Sequence, residues 1–472
     1  SNYWSKKKLY NPMKNEIIVG LDIGTTKIAC IVGRYDEHGK VEILGIGKSE
    51  SVGVQRGVVV NINHTVESIK KAVAMASEKS NVDIKIVNVG IAGQHIRSTQ
   101  HQATRTRSNS EDEISGLDIE MMTADICRIP VAPGENIIHA LPQDFTIDAE
   151  AGIKDPVGMA GIRMKANYHV ITGQISQINN IYRCVRKAGL EVANLTLEPL
   201  ASSASVLTEE EMEAGVALVD IGGGTTDIAI FYDGIIRHTA VIPFGGNIIT
   251  EDIRNGCYIL PRYAEVLKVN HGYALEEAVT QNSVIAIPGL AGHPRREIST
   301  LRLTQIIQAR MEEILDYVHS EIVSSGYSKQ LIGGIVMTGG GAQLRHMKQL
   351  VEYHTGMHCR IGSPNSHVSI SHDETTKLTP ILSTGVGLLM TYENKEAQRN
   401  MFQETIAEQQ EDLVVENEVE NVVLNEEVEE QVEQVEAPVA VQVEETSKKG
   451  TIFDSLSKLK KMFENQFKDN IE

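Results

Sequence analysis

The strongest constraint on this chain is a phrase written twice. Ile17-Ile-Val-Gly-Leu-Asp-Ile-Gly-Thr-Thr-Lys-Ile-Ala-Cys-Ile-Val32 is the first copy, and Gly215-Val-Ala-Leu-Val-Asp-Ile-Gly-Gly-Gly-Thr-Thr-Asp-Ile-Ala-Ile-Phe231 is the second. Each is an apolar run, then Asp-Ile-Gly, then small and hydroxyl-bearing residues, then another apolar run. The copies lie 198 residues apart, which predicts two related halves rather than a solenoid. A hairpin with Gly and Thr at its tip turns several backbone N–H groups toward one point, a nest for phosphate oxygens. Gly lets the anion approach with no Cβ in the way. Asp22 and Asp220, at the ends of the first strands, are suited to hold Mg²⁺ through its water shell. Two facing loops would clamp the phosphates of one nucleotide between two domains. Either copy alone could be an ordinary hairpin turn, and the duplication weighs against that reading. No GxxxxGK[ST] loop is present, and no GxGxxG opens a helix after a strand, so neither a P-loop nor a dinucleotide fold is supported.

Two further glycine-bearing pieces follow. Ile335-Val-Met-Thr-Gly-Gly-Gly-Ala342 runs an apolar strand into three glycines, with a helix predicted over Leu344 to Tyr353. Gly339, Gly340 and Gly341 would let a flat base and ribose lie against the backbone. Thr379-Pro-Ile-Leu-Ser-Thr-Gly-Val-Gly-Leu-Leu389 reads as a small-residue helix for close packing, with Gly385 and Gly387 structural. Leu195-Thr-Leu-Glu-Pro-Leu-Ala-Ser-Ser203 is its counterpart in the first half.

Charge divides the chain. The 472 residues carry 44 Lys and Arg against 63 Asp and Glu, a formal charge of −19. That balance argues against sequence-independent nucleic-acid binding, and aromatics at 4% argue against base stacking. From Glu393 to Thr446, 17 acids face two bases in 54 residues, so most of the excess lies there. Its Glu-Val alternation could suggest a strand, but self-repulsion and missing turn signals favour a solvated linker. As a flexible chain it would span roughly 40 Å.

The sign then flips. Ser447 to Glu472 holds Lys448, Lys449, Lys458, Lys460, Lys461 and Lys468 against four acids. Ile452, Leu456, Leu459, Phe463 and Phe467 recur at helical spacing within about 80° of one another, flanked by Phe453 and Met462. An apolar stripe opposed by lysines is the pattern of a helix lying in an anionic lipid interface. A partner groove or a last core helix are the other readings. No run of 18 apolar residues and no signal peptide occur, so nothing is expected to span a membrane. The five cysteines contain no CxxC and read as reduced, mostly buried thiols of a cytosolic protein. Residues 1–12 precede Met13 and are left out of the fold.

The order Asp22-Ile-Gly-Thr-Thr, Glu198-Pro-Leu-Ala-Ser, Asp220-Ile-Gly-Gly-Gly-Thr-Thr-Asp227, Thr338-Gly-Gly-Gly-Ala, Ser383-Thr-Gly-Val-Gly387 resembles the ATPase superfamily of actin, heat-shock chaperones and sugar kinases. More narrowly, the chain is similar to the FtsA family of bacterial cell-division proteins. Three stretches carry that resemblance: Ile137-Ile-His-Ala-Leu-Pro-Gln-Asp-Phe-Thr-Ile-Asp148 with Gly152 to Gly158, Gly161 to Met164 and His169 to Thr172; Phe244-Gly-Gly-Asn-Ile-Ile-Thr-Glu-Asp-Ile253 with Ala264-Glu-Val-Leu-Lys268; and the tethered C-terminal stripe.

The resemblance implies an α/β actin-like ATPase fold. Two ribonuclease H-like domains would carry an inserted α+β subdomain and a C-terminal amphipathic helix; the acidic disordered linker between body and helix, read from its charge, is the least family-like part. Subdomain IA would take residues 13–91 and 173–214 with a return at 372–392, and the inserted subdomain IC residues 92–172. Subdomain IIA would take 215–244 and 331–371, and IIB 245–330. The linker would run over 393–446 and the membrane-targeting helix over 447–472.

ATP with Mg would be the ligand. Gly24, Thr25, Thr26, Lys27, Gly222, Gly223, Gly224, Thr225 and Thr226 would face the phosphates. Gly245, Gly246, Glu265, Lys268 and Gly339 to Gly341 would lie at the adenosine, although Glu265 and Lys268 also read as a solvated helix face. Glu198 stands where relatives orient a water, but before a Pro it also reads as a helix start. The resemblance implies at most a slow ATPase.

Partners implied are the chain itself in a filament, the C-terminal tail of the tubulin-like FtsZ, anionic lipids at the cytoplasmic face of the inner membrane at the division septum, and later division proteins. Arg295, Arg296, Arg302 and Arg310, with a helix predicted from Leu303 to Ser324 that Arg302 immediately precedes and that carries Arg310, would meet the acidic FtsZ tail or form a solvated face. Ile452, Phe453, Leu456, Leu459, Lys460, Lys461, Met462, Phe463 and Phe467 would meet the membrane. An actin-fold small-molecule kinase or another membrane-associated ATPase is the alternative, but no acid is assignable as a kinase base beside a substrate pocket.

Overall fold

A computed structural model describes residues 16–36, 39–107, 113–289, 294–364, 368–370 and 377–391. The acidic linker, the amphipathic stripe with all its membrane candidates, and residues 1–15 lie outside the described residues.

Two sheets repeat one plan. In the first, the strands run in the order Glu191–Leu197, Ile86–Ile91, Ile17–Ile23, Lys27–Tyr35, Val41–Glu50, Val368–Ile370. In the second, the order is Cys359–Ile361, Ile335–Thr338, Val216–Ile221, Thr226–Tyr232, Ile235–Ile242. Each half opens with the hairpin of the repeated phrase and a third antiparallel strand, then adds two parallel strands beside the first. The hairpin strands are apolar almost throughout because they are buried on both faces; Val216–Ile221 is buried at every position.

Helices cover those faces. The helix Ile62–Ser80 starts where the Asn61 side chain accepts from the His64 N–H, and ends at Asn81 in the left-handed region. It lies close on Val41–Glu50 because Gly45 and Gly47, two apart on one strand face, meet Ala72 and Ala76, four apart on one helix face. The helices Glu198–Val206 and Ser383–Met390 pack against each other where Gly387 meets the Ala201 backbone. The second half also carries the helices Gly246–Cys257, Pro261–His271 and Thr300–Ser324, with the hairpin Val284–Ile287 and Arg296–Ser299.

Some boundaries move from their expected places. The helix expected from Leu344 begins at Met347, after a 3₁₀ turn at Gly341–Gln343, because His346 takes a left-handed conformation that interrupts the run. The run from Thr379 splits into a 3₁₀ turn at Pro380–Leu382 and an α-helix from Ser383. The helix expected from Leu303 starts at Thr300, capped by the Ser299 hydroxyl.

Between Ile86–Ile91 and the helix Ile175–Lys187, the chain inserts a four-stranded sheet ordered Arg97–Thr106, Arg163–Gln174, Glu135–Ile147, Glu150–Ile153, with the helix Gly116–Ile126. A Ser115–Asp118 capping box starts that helix. The insertion has its own core around Phe145, Met164 and Tyr168. It also reaches the second half: Leu141 and Ile171 share one apolar cluster with Val216, Leu218, Ala229, Phe231 and Ile236.

At that junction His169 is buried, with Nε2 at 2.9 Å from Thr239 Oγ1 and Nδ1 at 3.2 Å from Gln100 Nε2. With the Gln100 amide donating to Nδ1, the proton sits on Nε2 and donates to Thr239. Burial, with a smaller push from His238, lowers the imidazole to about 4, against an ordinary 6.5. Between those values the unfolded chain binds a proton that the folded chain does not, so stability is full above pH 6.5 and falls as pH drops toward 4. The contribution lost between pH 7 and pH 5 is about 2 kcal/mol. His169→Gln is therefore expected to flatten the pH dependence of the melting temperature over that interval; an unchanged slope would refute the assignment.

Candidate functional site

The two repeated hairpins meet tip to tip. A Cβ placed on Gly223 would strike Thr26, and one on Gly224 would strike Thr25 and lie 2.9 Å from the Arg56 Cα. Local bonds fix each tip. In the first, Thr25 Oγ1 accepts from the Gly57 N–H at 3.1 Å, and the Ser51 N–H donates to the Thr26 carbonyl at 3.1 Å. In the second, the Gly222 N–H closes the turn onto the Thr225 carbonyl at 2.9 Å. The helix Gly246–Cys257 then sets its leading N–H groups on the same loop: Gly246 donates to the Gly222 carbonyl at 2.9 Å and Asn247 to the Gly223 carbonyl at 2.8 Å. Gly245 is required there, because a Cβ would crowd three carbonyl oxygens of the loop.

Beneath the tips lies a concentration of negative charge. Asp22, Asp220 and Asp227 are buried, and Asp220 faces Asp227 across the hairpin. Asp220 Oδ2 accepts from the Ser202 hydroxyl at 2.7 Å and from Thr384 at 3.3 Å, one hydroxyl from each crossing helix. Asp227 Oδ2 accepts from Thr225 at 3.0 Å, while its Oδ1 is buried without a hydrogen-bond partner. Glu198, the first residue of its helix, lies against Gly90, where a Cβ would come 3.0 Å from its Cγ.

Burial pushes the Glu198 carboxyl well above the usual carboxylate range, and Asp22, Asp227 and Asp220 push it further. Burial raises Asp227 as well, with Asp220 and Asp22 adding to it; Asp220 is raised by burial and Asp22 against the bonds from Ser202 and Thr384. The opposing cation is Lys27, whose Nζ sits 3.0 Å from Asp22 Oδ2. Four acids around one lysine, with an orphaned Asp227 oxygen, fit a dication better than they fit one another. Among the described residues no group of three or more His, Cys, Asp or Glu forms a direct-ligand metal centre. A hydrated ion held through waters is the form this set suits.

The remaining expected residues divide. Gly339, at φ +83°, packs against Asp220 and Ile221, and Gly341 against Ile221, so the third glycine cluster abuts the second hairpin. Lys268 is drawn into a closed network: its Nζ is 2.9 Å from the Gly246 carbonyl, 2.8 Å from Thr250 Oγ1 and 2.8 Å from Glu265 Oε2. Glu265 remains half-exposed beside it, so this helix face is tied to the glycine loop rather than merely solvated. Thr26 is exposed between the tips, whereas Thr226 is fully buried and its hydroxyl is spent on the Phe244 carbonyl at 2.8 Å.

Arg295, Arg296 and Arg302 are exposed on the helical part of the second half, Arg296 with its guanidinium 5.7 Å from the Tyr258 ring centre. Arg310 is bonded to Asp252 at 2.5 and 3.2 Å and also to Glu313, so its charge is already matched within the chain. Asp227, Ser202 and Thr384 belong to the site without having been singled out as site residues. The sequence signal for Asp227 is its position just after the Thr225-Thr226 tip, where an antiparallel register of equal arms returns it to Asp220.

Comparison with known proteins identifies a family. Residues 217–387 match the family described as "Cell division protein FtsA", and residues 93–172 match the "SHS2 domain inserted in FTSA". The chain is 41% identical over 376 residues to Cell division protein FtsA of Pseudomonas aeruginosa, covering 79% of this chain and 89% of that one. It is 37% identical over 383 residues to the Escherichia coli K12 protein of the same name, covering 79% and 90%. Among solved structures, a PilM-PilN type IV pilus biogenesis complex superposes with a TM-score of 0.58 at 14% identity, over 79% of this chain and 97% of that one, a likeness of fold alone.

Proposed function

Since the chain belongs to the FtsA family of cell-division proteins and has its actin-like fold, we propose that it binds ATP with Mg between its two lobes, assembles into filaments and ties FtsZ to the cytoplasmic face of the inner membrane. The observation that carries the nucleotide reading is the meeting of the two duplicated hairpin tips above Asp22, Asp220, Asp227 and Glu198. Backbone N–H groups of Gly24 to Thr26 and Gly223 to Thr225 would hold the phosphates, with the Gly222 N–H closing the turn that presents them. Gly339 to Gly341, Glu265 and Lys268 would line the adenosine side. Asp22, Asp220 and Asp227 would hold the hydrated Mg²⁺, which when bound neutralises phosphate charge. Lys27, paired with Asp22, adds fixed positive charge beneath the tips. Glu198 is the group available to orient a water. Phosphoryl transfer needs an aligned water and neutralised charge more than covalent chemistry, so this site supports tight binding and slow hydrolysis.

The FtsZ tail, an acidic peptide, would meet Arg295, Arg296 and Arg302, which are exposed on the helical subdomain. The inserted subdomain would meet neighbouring subunits and later division proteins. Membrane attachment is supported by the stripe Ile452 to Phe467 with Lys460 and Lys461, and many tethered copies on one filament would bind by avidity. The test is co-sedimentation with anionic vesicles in the presence of Mg-ATP and an FtsZ tail peptide. Removing Lys448 to Glu472 is expected to abolish vesicle binding while calorimetric ATP uptake survives. A truncated protein that still floats with vesicles refutes the membrane assignment, and a full-length chain that takes up no ATP refutes the nucleotide assignment.

A further inference from the structure

Both ends of the inserted subdomain are rooted in the first lobe, one after the strand Ile86–Ile91 and one before the helix Ile175–Lys187. Its polar side chains nevertheless bond across to the second lobe, along the strand Ile235–Ile242 and the turn that precedes it. Ser98 Oγ donates to the Thr239 carbonyl at 3.0 Å, and Gln143 Nε2 to the Ile236 carbonyl at 2.6 Å. His169 Nε2 donates to Thr239 Oγ1 at 2.9 Å. Arg237 Nη1 reaches Asp144 Oδ2 at 3.4 Å, and Lys154 Nζ reaches Asp233 Oδ1 at 3.0 Å. Gln143, His169 and Thr239 are buried, and Leu141 and Ile171 back these bonds with apolar contact.

The strand so held is the direct neighbour of the second phosphate hairpin. Val241 pairs with Asp227, and Thr239 with Ala229 two residues further along. The insertion therefore grips, from the first lobe, the strand hydrogen-bonded to the hairpin arm that bears Asp227. Separating the hairpin tips requires either breaking this grip or dragging the insertion with the second lobe. Buried polar bonds of this kind make a junction with discrete states, because each is costly to leave unmade.

We infer that the inserted subdomain is a brace across the nucleotide cleft: its attachment to Ile235–Ile242 holds the lobes closed on bound nucleotide, and loosening it opens the site. The inference rests on the nucleotide reading above and adds regulation to it. By linkage, whatever nucleotide does to the brace, the brace does to nucleotide in equal measure. A partner protein seated on the insertion would thereby change nucleotide retention without touching the cleft.

The test uses the full chain and a fluorescent ATP analogue with Mg²⁺, with dissociation followed after mixing with excess unlabelled ATP. Gln143→Ala combined with Asp144→Ala alters only the insertion. It is expected to speed dissociation by about fivefold or more, with the melting profile retained. A rate within a factor of two of the parent overturns the brace. Should the double variant fail to fold, the parent chain supplies a second measurement: amide hydrogen exchange of Glu135–Ile147 and Ile235–Ile242 is expected to slow on adding Mg-ATP. Slowing confined to the hairpins and the glycine clusters, with the insertion unaffected, overturns it as well. A parent chain that takes up no nucleotide at all overturns both readings, whereas normal uptake with an unaffected insertion overturns the brace alone.

Discussion

Gly223→Val is expected to weaken ATP binding by roughly 10- to 100-fold while leaving each lobe folded. The residue sits at the tip of the second hairpin, and its φ is not in the left-handed region, so valine meets no backbone strain there. What it meets is Thr26 of the opposite lobe, which lies where the new Cβ would go. Overpacking of this kind costs about 1–3 kcal/mol, and 1.4 kcal/mol is tenfold in affinity. The lobes can escape that cost by moving apart at the tips, which is the movement that widens the phosphate cradle. Gly222→Ala, on the same loop, is the control: its Cβ would lie 3.3 Å from the nearest atom, the Thr225 carbonyl oxygen of its own hairpin, and wedges nothing between lobes. Titration calorimetry separates the two. Equal affinities for the Gly223→Val variant and the parent would show that the tips need not close on the ligand.

That argument depends on features the sequence displayed openly. Asp22 and Asp220, the glycines after them and the flanking apolar runs are local: a hairpin with a small tip is set by residues within a few positions, and its duplication marks two lobes. The distribution of charge inside the site is less legible. Lys27 reads in sequence as a phosphate contact, yet its ammonium lies on Asp22, on the other arm of the same hairpin. Thr226 reads as one more hydroxyl at the tip, but strand alternation turns it inward to Phe244. Asp227 joins the acid cluster only because the second hairpin pairs it with Asp220.

The docking of the insertion was wholly outside local reach. His169 and Thr239, or Gln143 and Ile236, come together through the packing of two separate sheets, and no periodicity in either segment reports the other. Arg310 shows the same limit at the surface. On a helix face it reads as open positive charge, and only the fold brings Asp252 from a different helix to meet it.

The packing of the helices Glu198–Val206 and Ser383–Met390 gives the sharpest contrast between neighbouring glycines. Gly385 and Gly387 are both buried in the helix Ser383–Met390. A Cβ on Gly387 would overlap the carbonyl and Cα of Ala201, which are main-chain atoms of the helix Glu198–Val206 and cannot rotate aside. A Cβ on Gly385 would instead meet the Cδ1 and Cγ1 atoms of Ile31, the end of a side chain that can change rotamer. Alanine also gains about 1 kcal/mol over glycine from helix propensity, which offsets a small clash but not a backbone one. Gly387→Ala is therefore expected to destabilise the chain by about 3 kcal/mol and lower its melting temperature by several degrees, while Gly385→Ala changes it by less than about 1 kcal/mol. The helix with Gly387 also carries Thr384, and its partner helix carries Ser202, the two hydroxyls on Asp220. Spreading the helices to admit the methyl group pulls both hydroxyls from that carboxylate. Gly387→Ala should thus lose ATP affinity along with stability, and Gly385→Ala should lose neither. Thermal unfolding and calorimetry on the two variants decide it, and equal melting temperatures for the pair would remove the main-chain contact as the cause.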